Sequence, residues 1–339
     1  MTQQTNYTSM HTKPPTNTTT KLALLSTLAS LIFSACTHTT TSPVITSGEQ
    51  SAPTHTAIKT QPITPTTLRT DKFDGERALA DIDYQLSVGP RIPGSKAHTQ
   101  VVKYIDSTLS NSGWEVSIQE TNIINQPITN IIGKWGEGRP WVILGAHYDT
   151  RMVADRDPDP GNHQKPVPGA NDGASGVAVL LELARILPSH ATDLRFGQVW
   201  LVFFDAEDNG NLPGRDWVLG SRAFVNSLSD YPDSAVIVDM VGDVNQDIYQ
   251  EAYSDPTLTA EIWETAATLG YSNRFIPEIY LSIIDDHLPF IEAGIPAIDI
   301  IDIKYPYWHT VEDTIDKLSS DSLMAVGDTL LAWLTTKRN

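Results

Sequence analysis

The chain has 339 residues, 40% of them hydrophobic and 19% charged, with one cysteine and a formal net charge of −18. That is enough apolar material for one large core, and the acidic balance argues against a nucleic-acid or anionic-membrane surface, which needs clustered Lys and Arg. A lone cysteine excludes an internal disulfide framework, a thiolate zinc cluster and a CxxC redox pair, but not a metal held by His, Asp and Glu.

The first seventy residues differ in kind from the rest. Residues 1–20 are Thr-rich and polar. Lys21 then precedes the apolar run Leu22–Phe33 and the small residues Ser34 and Ala35 before Cys36. A positive residue, a dozen apolar positions and small residues describe an export signal, and the run is short of the roughly 20 apolar residues that a spanning helix needs. Phe33-Ser34-Ala35-Cys36 resembles a bacterial lipoprotein box, with Phe where Leu is usual and after an unusually long polar leader. Residues 1–36 are therefore expected to be a signal peptide or lipoprotein leader. The chain would be exported to the cell envelope, lipid-anchored at Cys36 or otherwise periplasmic or secreted. Residues 37–70 are rich in Thr, Ser and Pro and carry Glu49 as their one acid, which reads as a flexible tether. The body, 71–339, keeps 19 basic against 40 acidic residues, a net of −21.

Within the body the apolar spacing predicts helices over Gly75–Ser87 and Ala97–Ser112. Glu115–Thr121 alternates like a half-buried strand, and Asn130–Lys134 and Trp141–His147 read as short buried strands. A core helix follows over Ala174–Leu187, stopped by Pro188. Strand Val199–Asp205, helix 220–228, strand Ala235–Met240 and helices 257–269 and 287–293 come next, then strand Ala297–Ile301 and helix 320–335. This alternation predicts a three-layer α/β/α sandwich with a mostly parallel mixed central sheet. No internal repeat is visible, and the body is expected to be a monomer.

In such sheets ligands collect beyond the carboxyl ends of the strands. There the sequence places His147 and Asp149, Asp172 in the Gly-rich lead-in to the core helix, Asp205, Glu207 and Asp208, Asp239, then Asp302 and His309. Any one of them would serve as a helix cap or a solvated turn. Together they are the ligand chemistry of zinc or a similar divalent metal. Neighbours on an extended strand end point to opposite sides. Glu207 and Asp208 could thus divide base and ligand roles, one facing substrate and the other the metal, unless they form only an acidic turn. No H-E-x-x-H, G-x-S-x-G, Walker or G-x-G-x-x-G motif is present.

Arg91-Ile92-Pro93-Gly94-Ser95, Gly145–Asp149, Gly169–Gly176, Phe204–Asp208, Val238-Asp239-Met240, Asp286-His287 and Tyr307–Thr310 resemble, in order, the M28 zinc-peptidase family over roughly residues 75–335. That family includes two-zinc aminopeptidases and one-zinc glutaminyl cyclases. Asp285-Asp286-His287 with Pro289-Phe290, the Trp308-His309-Thr310 ending and the Glu-Asp pair are similar to the cyclase branch. Asp299 departs from it, standing where animal cyclases carry His. The resemblance implies zinc on Asp172, Asp208 and His309, with Glu207 as general acid/base. Asp239 and Asp285 would act around the reacting amine, and Trp308 and Trp217 would wall the substrate pocket. The substrate would be a peptide or protein N-terminus. For the aminopeptidase alternative, His147 and Asp239 would bind a second zinc and Asp172 would bridge. His287 is read as opening a helix beside Asp286, and Asp155–Asp159 as a charged loop that rims the pocket or is merely solvated. His163 is read as no ligand. Trp114, Trp135, Trp141, Trp200, Trp263 and Trp333 are read as packing residues.

Overall fold

Asp74 accepts the backbone N–H groups of Glu76 and Arg77, satisfying two donors that a helix start leaves orphaned, and so begins α1 (Gly75–Ser87). Ser95 caps α2 (Lys96–Asn111) in the same way through His98 N–H. These are the first elements of a computed structural model that describes residues 71–336. The leader, the Cys36 box and the tether lie outside the described residues.

β1 (Glu115–Ile123) and β2 (Gln126–Gly136) pair antiparallel across a two-residue turn whose members, Ile124 and Asn125, both have positive φ. The chain continues through β3 (Trp141–His147), α3 (Ala174–Ile186), β4 (Gln198–Phe204), α4 (Leu219–Ser227) and β5 (Ser234–Asp239). It ends with β6 (Ile248–Gln250), α5 (Pro256–Thr268), β7 (Phe275–Ile279), α6 (Leu288–Glu292), β8 (Ala297–Ile301) and α7 (Ser320–Thr335).

The main sheet has the order β1-β2-β4-β3-β5-β8. β4, β3, β5 and β8 run parallel, and the β1–β2 hairpin adds an antiparallel edge through β2 and β4. Every residue of β3, β5 and β8 is buried, as a sheet covered on both faces requires. Alternation sorts the side chains. Val142, Leu144, Val236 and Val238 join a large core with residues of α1, α2, α3, α5 and α7. Ile143, Phe204, Ala235 and Ile237 pack under α4 and α6 on the opposite face. The central helix α3 lies directly on the sheet, because a Cβ at Gly176 would stand 2.1 Å from the Val238 carbonyl oxygen. Among the described residues, no helix is long and apolar enough to cross a membrane.

The predicted elements agree with these to within a residue or so, with two differences. Asn130–Lys134 is the middle of an eleven-residue strand whose first half alternates buried and more exposed positions. The small parallel pair β6–β7 was not expected: β6 is three residues long and β7 contains Pro277, so neither carries a readable period.

Candidate active site

The site assembles from the loops that leave β3, β4, β5 and β8. β3 ends at His147, and two residues on, the fully buried Asp149 accepts the N–H of Glu207 (3.0 Å), the N–H of Asp208 (3.4 Å) and the side-chain amide of Asn209 (3.1 Å). One carboxylate thereby shapes the turn after β4. That turn corrects the expectation of an extended pair: β4 stops at Phe204, Ala206 is left-handed with φ 53°, and Glu207 and Asp208 follow on a turn. Both acids line one cavity, and their placement comes from that turn and not from a pleat.

Asp172 sits in the lead-in to α3, where Asp313 accepts the N–H groups of Asn171 (2.8 Å) and Asp172 (3.1 Å) and is itself bonded by Tyr305 Oη (2.7 Å). Arg91, fully buried, donates to the carbonyls of Tyr148 (3.0 Å), Pro168 (2.9 Å) and Gly169 (2.6 Å). It binds the β3 exit and the Asp172 loop into one piece. His309 closes the aromatic turn after β8 with a left-handed φ of 56°.

These loops bring two acid–imidazole triads together. His309 Nε2 lies 2.8 Å from Asp208 Oδ1 and 3.7 Å from Asp172 Oδ2. His147 Nε2 lies 3.2 Å from Asp172 Oδ1 and 3.1 Å from Asp239 Oδ1. Within each triad the potential ligand atoms fall within 4.8 Å of one another, and Asp172 belongs to both. The donor set fits a zinc-like ion. Asp172 Oδ2 and Asp208 Oδ2 are buried without a hydrogen-bond partner, which a coordinated cation would satisfy. The other imidazole nitrogens face carboxylates that would orient the rings: His309 Nδ1 is 3.4 Å from Asp155, and His147 Nδ1 is 3.6 Å from Asp149.

Burial and crowding set the protonation of the group. Burial opposes a charged His309, but Asp208 and Asp155 outweigh it and lift the imidazole to about 9. Burial also works against the Asp172 carboxylate, yet the hydrogen bond and charge of His147 hold it below the usual range. Asp208 rises to about 6 through burial and the Asp172 charge, and Asp285 to about 6 through burial and Asp239. Burial lifts Glu207 well above an ordinary carboxylate, and neighbouring acids add to it.

A cavity of about 400 Å³ opens onto these groups, lined by Asp172, Glu207, Asp208, Asp239 and Asp285 and walled by Trp217 and Trp308. Trp308 stacks on the His309 ring at 3.8 Å, and Trp217 lies nearly parallel to it at 6.2 Å. Trp217 reaches this position over Gly210, where a Cβ would be 2.1 Å from the indole. Asp172, Glu207, Asp208, Asp239, Asp285, Trp217 and Trp308 therefore line one cavity, with His147 and His309 held against its acids. A larger groove, about 760 Å³, lies at the amino ends of the strands among Pro140, Phe196, Asp233 and Pro296, and gathers no such cluster.

Other candidates fall elsewhere. Asp205 accepts Thr129 N–H and faces His98, and Asp302 caps the N–H groups of Asp247 and Lys304. His163 faces its own loop's Asp157 carbonyl. His287 precedes α6 as its cap, buried between Glu251 (3.0 Å) and Asp299 (3.6 Å). The Asp155–Asp159 loop does more than meet solvent. Asp155 faces His309 while clamped by Arg151 (2.8 and 2.7 Å), and Asp157 accepts Val311 N–H. Asp313 and Glu251 carried no stronger signal in the sequence than an isolated acid, and Asp155 only that of a charged loop.

Convergent buried acids and imidazoles beyond the carboxyl edge of a mostly parallel sheet define a zinc-exopeptidase-like α/β protein. Residues 130–334 match Peptidase family M28, and the chain belongs to that family. It is 29% identical over 266 residues to Aminopeptidase YwaD of Bacillus subtilis, matching 72% of this chain but about half (52%) of that longer protein. It is 26% identical over 275 residues to the glutaminyl-peptide cyclotransferase of Drosophila melanogaster, covering 70% of this chain and 75% of the relative. Among solved structures, the glutaminyl cyclase of Tannerella forsythia superposes with a TM-score of 0.74 at 33% identity, over 79% of this chain and 100% of the other.

Proposed function

We propose that the chain cyclises the N-terminal glutamine of peptides to pyroglutamate, releasing ammonia. The observation that carries this reading is that Glu207, Asp239 and Asp285 line one cavity with Trp308 and with Asp172 and Asp208, the two acids that form a triad with His309. The likeness to the Tannerella cyclase over that chain's whole length supports it.

Asp172, Asp208 and His309 would hold one zinc, which when bound supplies a Lewis acid for the side-chain amide oxygen of the substrate. The chain's own residues do the rest. Glu207, whose buried carboxylate has a raised proton affinity, takes a proton from the α-amine as that nitrogen bonds to the side-chain amide carbon. The same carboxyl returns the proton to the departing nitrogen as the carbon–nitrogen bond to it breaks, and ammonia leaves. Asp239 and Asp285 set negative charge beside the amine while it is transiently cationic. Trp308 and Trp217 narrow the cavity around one side chain and limit water, and because the nucleophile is tethered, fixing the conformer is the main task.

A second reading has an observation of its own. His147, Asp172 and Asp239 form a triad sharing Asp172 with the first, the arrangement that a two-zinc aminopeptidase would use, with Glu207 activating water. Incubating the purified protein with a Gln-initiated peptide separates the two. Ammonia and a product lighter by one ammonia are expected, whereas free glutamine with one residue lost would establish the hydrolase. One zinc per chain by elemental analysis is expected for the cyclase, and two for the alternative.

We also propose export with a lipid anchor on Cys36 and residues 37–70 as the tether. Cys36→Ala should move the protein from the membrane to the soluble fraction.

A further inference from the structure

The cavity mouth carries an apolar rim that the chemistry above does not use. From the last residue of β7 toward α6, Ile279 is 71% exposed, Ile284 56%, and Tyr280 and Leu281 47% each. Leu281 and Ile284 also line the cavity, so the rim is continuous with the wall against which the substrate's first residue would rest. Single exposed apolar side chains are ordinary, whereas adjacent ones at a cavity mouth point to a contact.

The backbone beneath them is held firmly. Tyr280 N–H donates to the Gln250 carbonyl (3.1 Å), the Leu281 carbonyl accepts Ala252 N–H (2.8 Å), and Ile283 N–H donates to Glu251 Oε1 (3.1 Å). Tyr280 packs on Tyr249 at 5.2 Å, with Lys304 Nζ 4.0 and 4.8 Å from the two rings. A rim anchored in this way presents its side chains pre-ordered, which lowers the entropy cost of binding.

We infer that this rim binds the side chains of the second and third substrate residues, so that the enzyme selects peptides with large apolar residues there. The inference rests on the reading that peptide N-termini enter this cavity. With the first residue directed at the buried acids, the next residues must leave across the mouth, and the rim is part of that mouth. A lipid surface is the other apolar occupant. The chain's net charge of −18 opposes an anionic bilayer, and continuity with the cavity favours the peptide.

The test compares Gln-Leu-Phe-Gly-amide with Gln-Ser-Asn-Gly-amide on the full chain loaded with zinc. The apolar peptide should have kcat/KM higher by about tenfold, the low end of discrimination by apolar contact. In the Leu281→Ser/Ile284→Ser double variant the ratio should fall to about twofold or less, with the thermal unfolding midpoint checking the fold. A wild-type ratio near one, or a ratio that the substitutions leave unmoved, overturns the inference. So does loss of binding to phosphatidylcholine vesicles in the double variant with the peptide ratio intact, which would make the rim a lipid contact. Calorimetry of both peptides on zinc-loaded Glu207→Gln protein keeps this separate from the reaction. Tighter binding of the apolar peptide with a more negative heat-capacity change supports the rim even if neither ammonia nor amino acid is ever released, and equal binding overturns it.

Discussion

The two imidazoles of the site are built to different plans. His147 ends a fully buried strand and faces Asp149, the acid that also holds the Glu207–Asp208 turn. Its orientation is inherited from the core. His309 sits on a left-handed turn after β8, under two indoles, and faces Asp155, a half-exposed acid pinned by Arg151. Its orientation is assembled from loops. Asp172 joins the two halves. The difference teaches that an acid–imidazole cluster can be half scaffold and half adjustable, and the one-zinc proposal assigns the metal to the loop-built half.

The strongest way to break that division is at the shared residue. Asp172→Asn should cost at least about a thousandfold in kcat/KM and remove bound zinc, read by activity and elemental analysis together, because both halves lose a ligand. Glu207→Gln should lower kcat about 10²- to 10⁴-fold with zinc retained, since it removes proton transfer alone. Comparing the halves directly, Asp155→Asn should weaken zinc affinity about 10- to 100-fold in competition with a chelator. His147→Asn should leave one zinc bound. If His147→Asn instead lowered the stoichiometry from two zinc ions to one and abolished turnover, the two-zinc reading would replace the proposal.

The smallest effect lies just outside the cluster. Asp302 is buried at the same sheet edge without an imidazole beside it, and burial raises it to about 7. With its folded pKa above the ordinary 3.8, its protonated form favours folding. Its contribution is therefore fully present below about pH 4 and is lost as the pH rises to about 7. Asp302→Asn, which gives up one capping oxygen, should be less stable than the native chain at pH 4.5. That gap should narrow or reverse by pH 8 in urea unfolding, and a gap independent of pH would contradict the assignment.

Much of this was legible in the sequence because strand ends mark themselves. Val199–Phe204 and Ala235–Val238 are uninterrupted apolar runs, and the acids after such runs fall at one edge of the sheet. Family resemblance, not periodicity, supplied the individual roles. What stayed hidden depends on turns and on contacts distant in sequence. The left-handed Ala206 that sets Glu207 and Asp208, the Asp155–His309 approach and the β6–β7 pair leave no periodic trace. Trp217 came from the resemblance alone, and only the space above Gly210 shows why an indole fits there.

Arg91 has a consequence for how far the chain can be trimmed. The segment matching the family begins at residue 130, yet the guanidinium that ties the His147 exit to the Asp172 loop comes from well before it. His98, against Asp205 and Tyr148, and Trp114, bonded to the Ala184 carbonyl, also precede the match. A fragment cut to the matched span would keep every acid and imidazole of the two triads and lose the struts that aim them. The smallest working unit is therefore set by these supports and not by the motif.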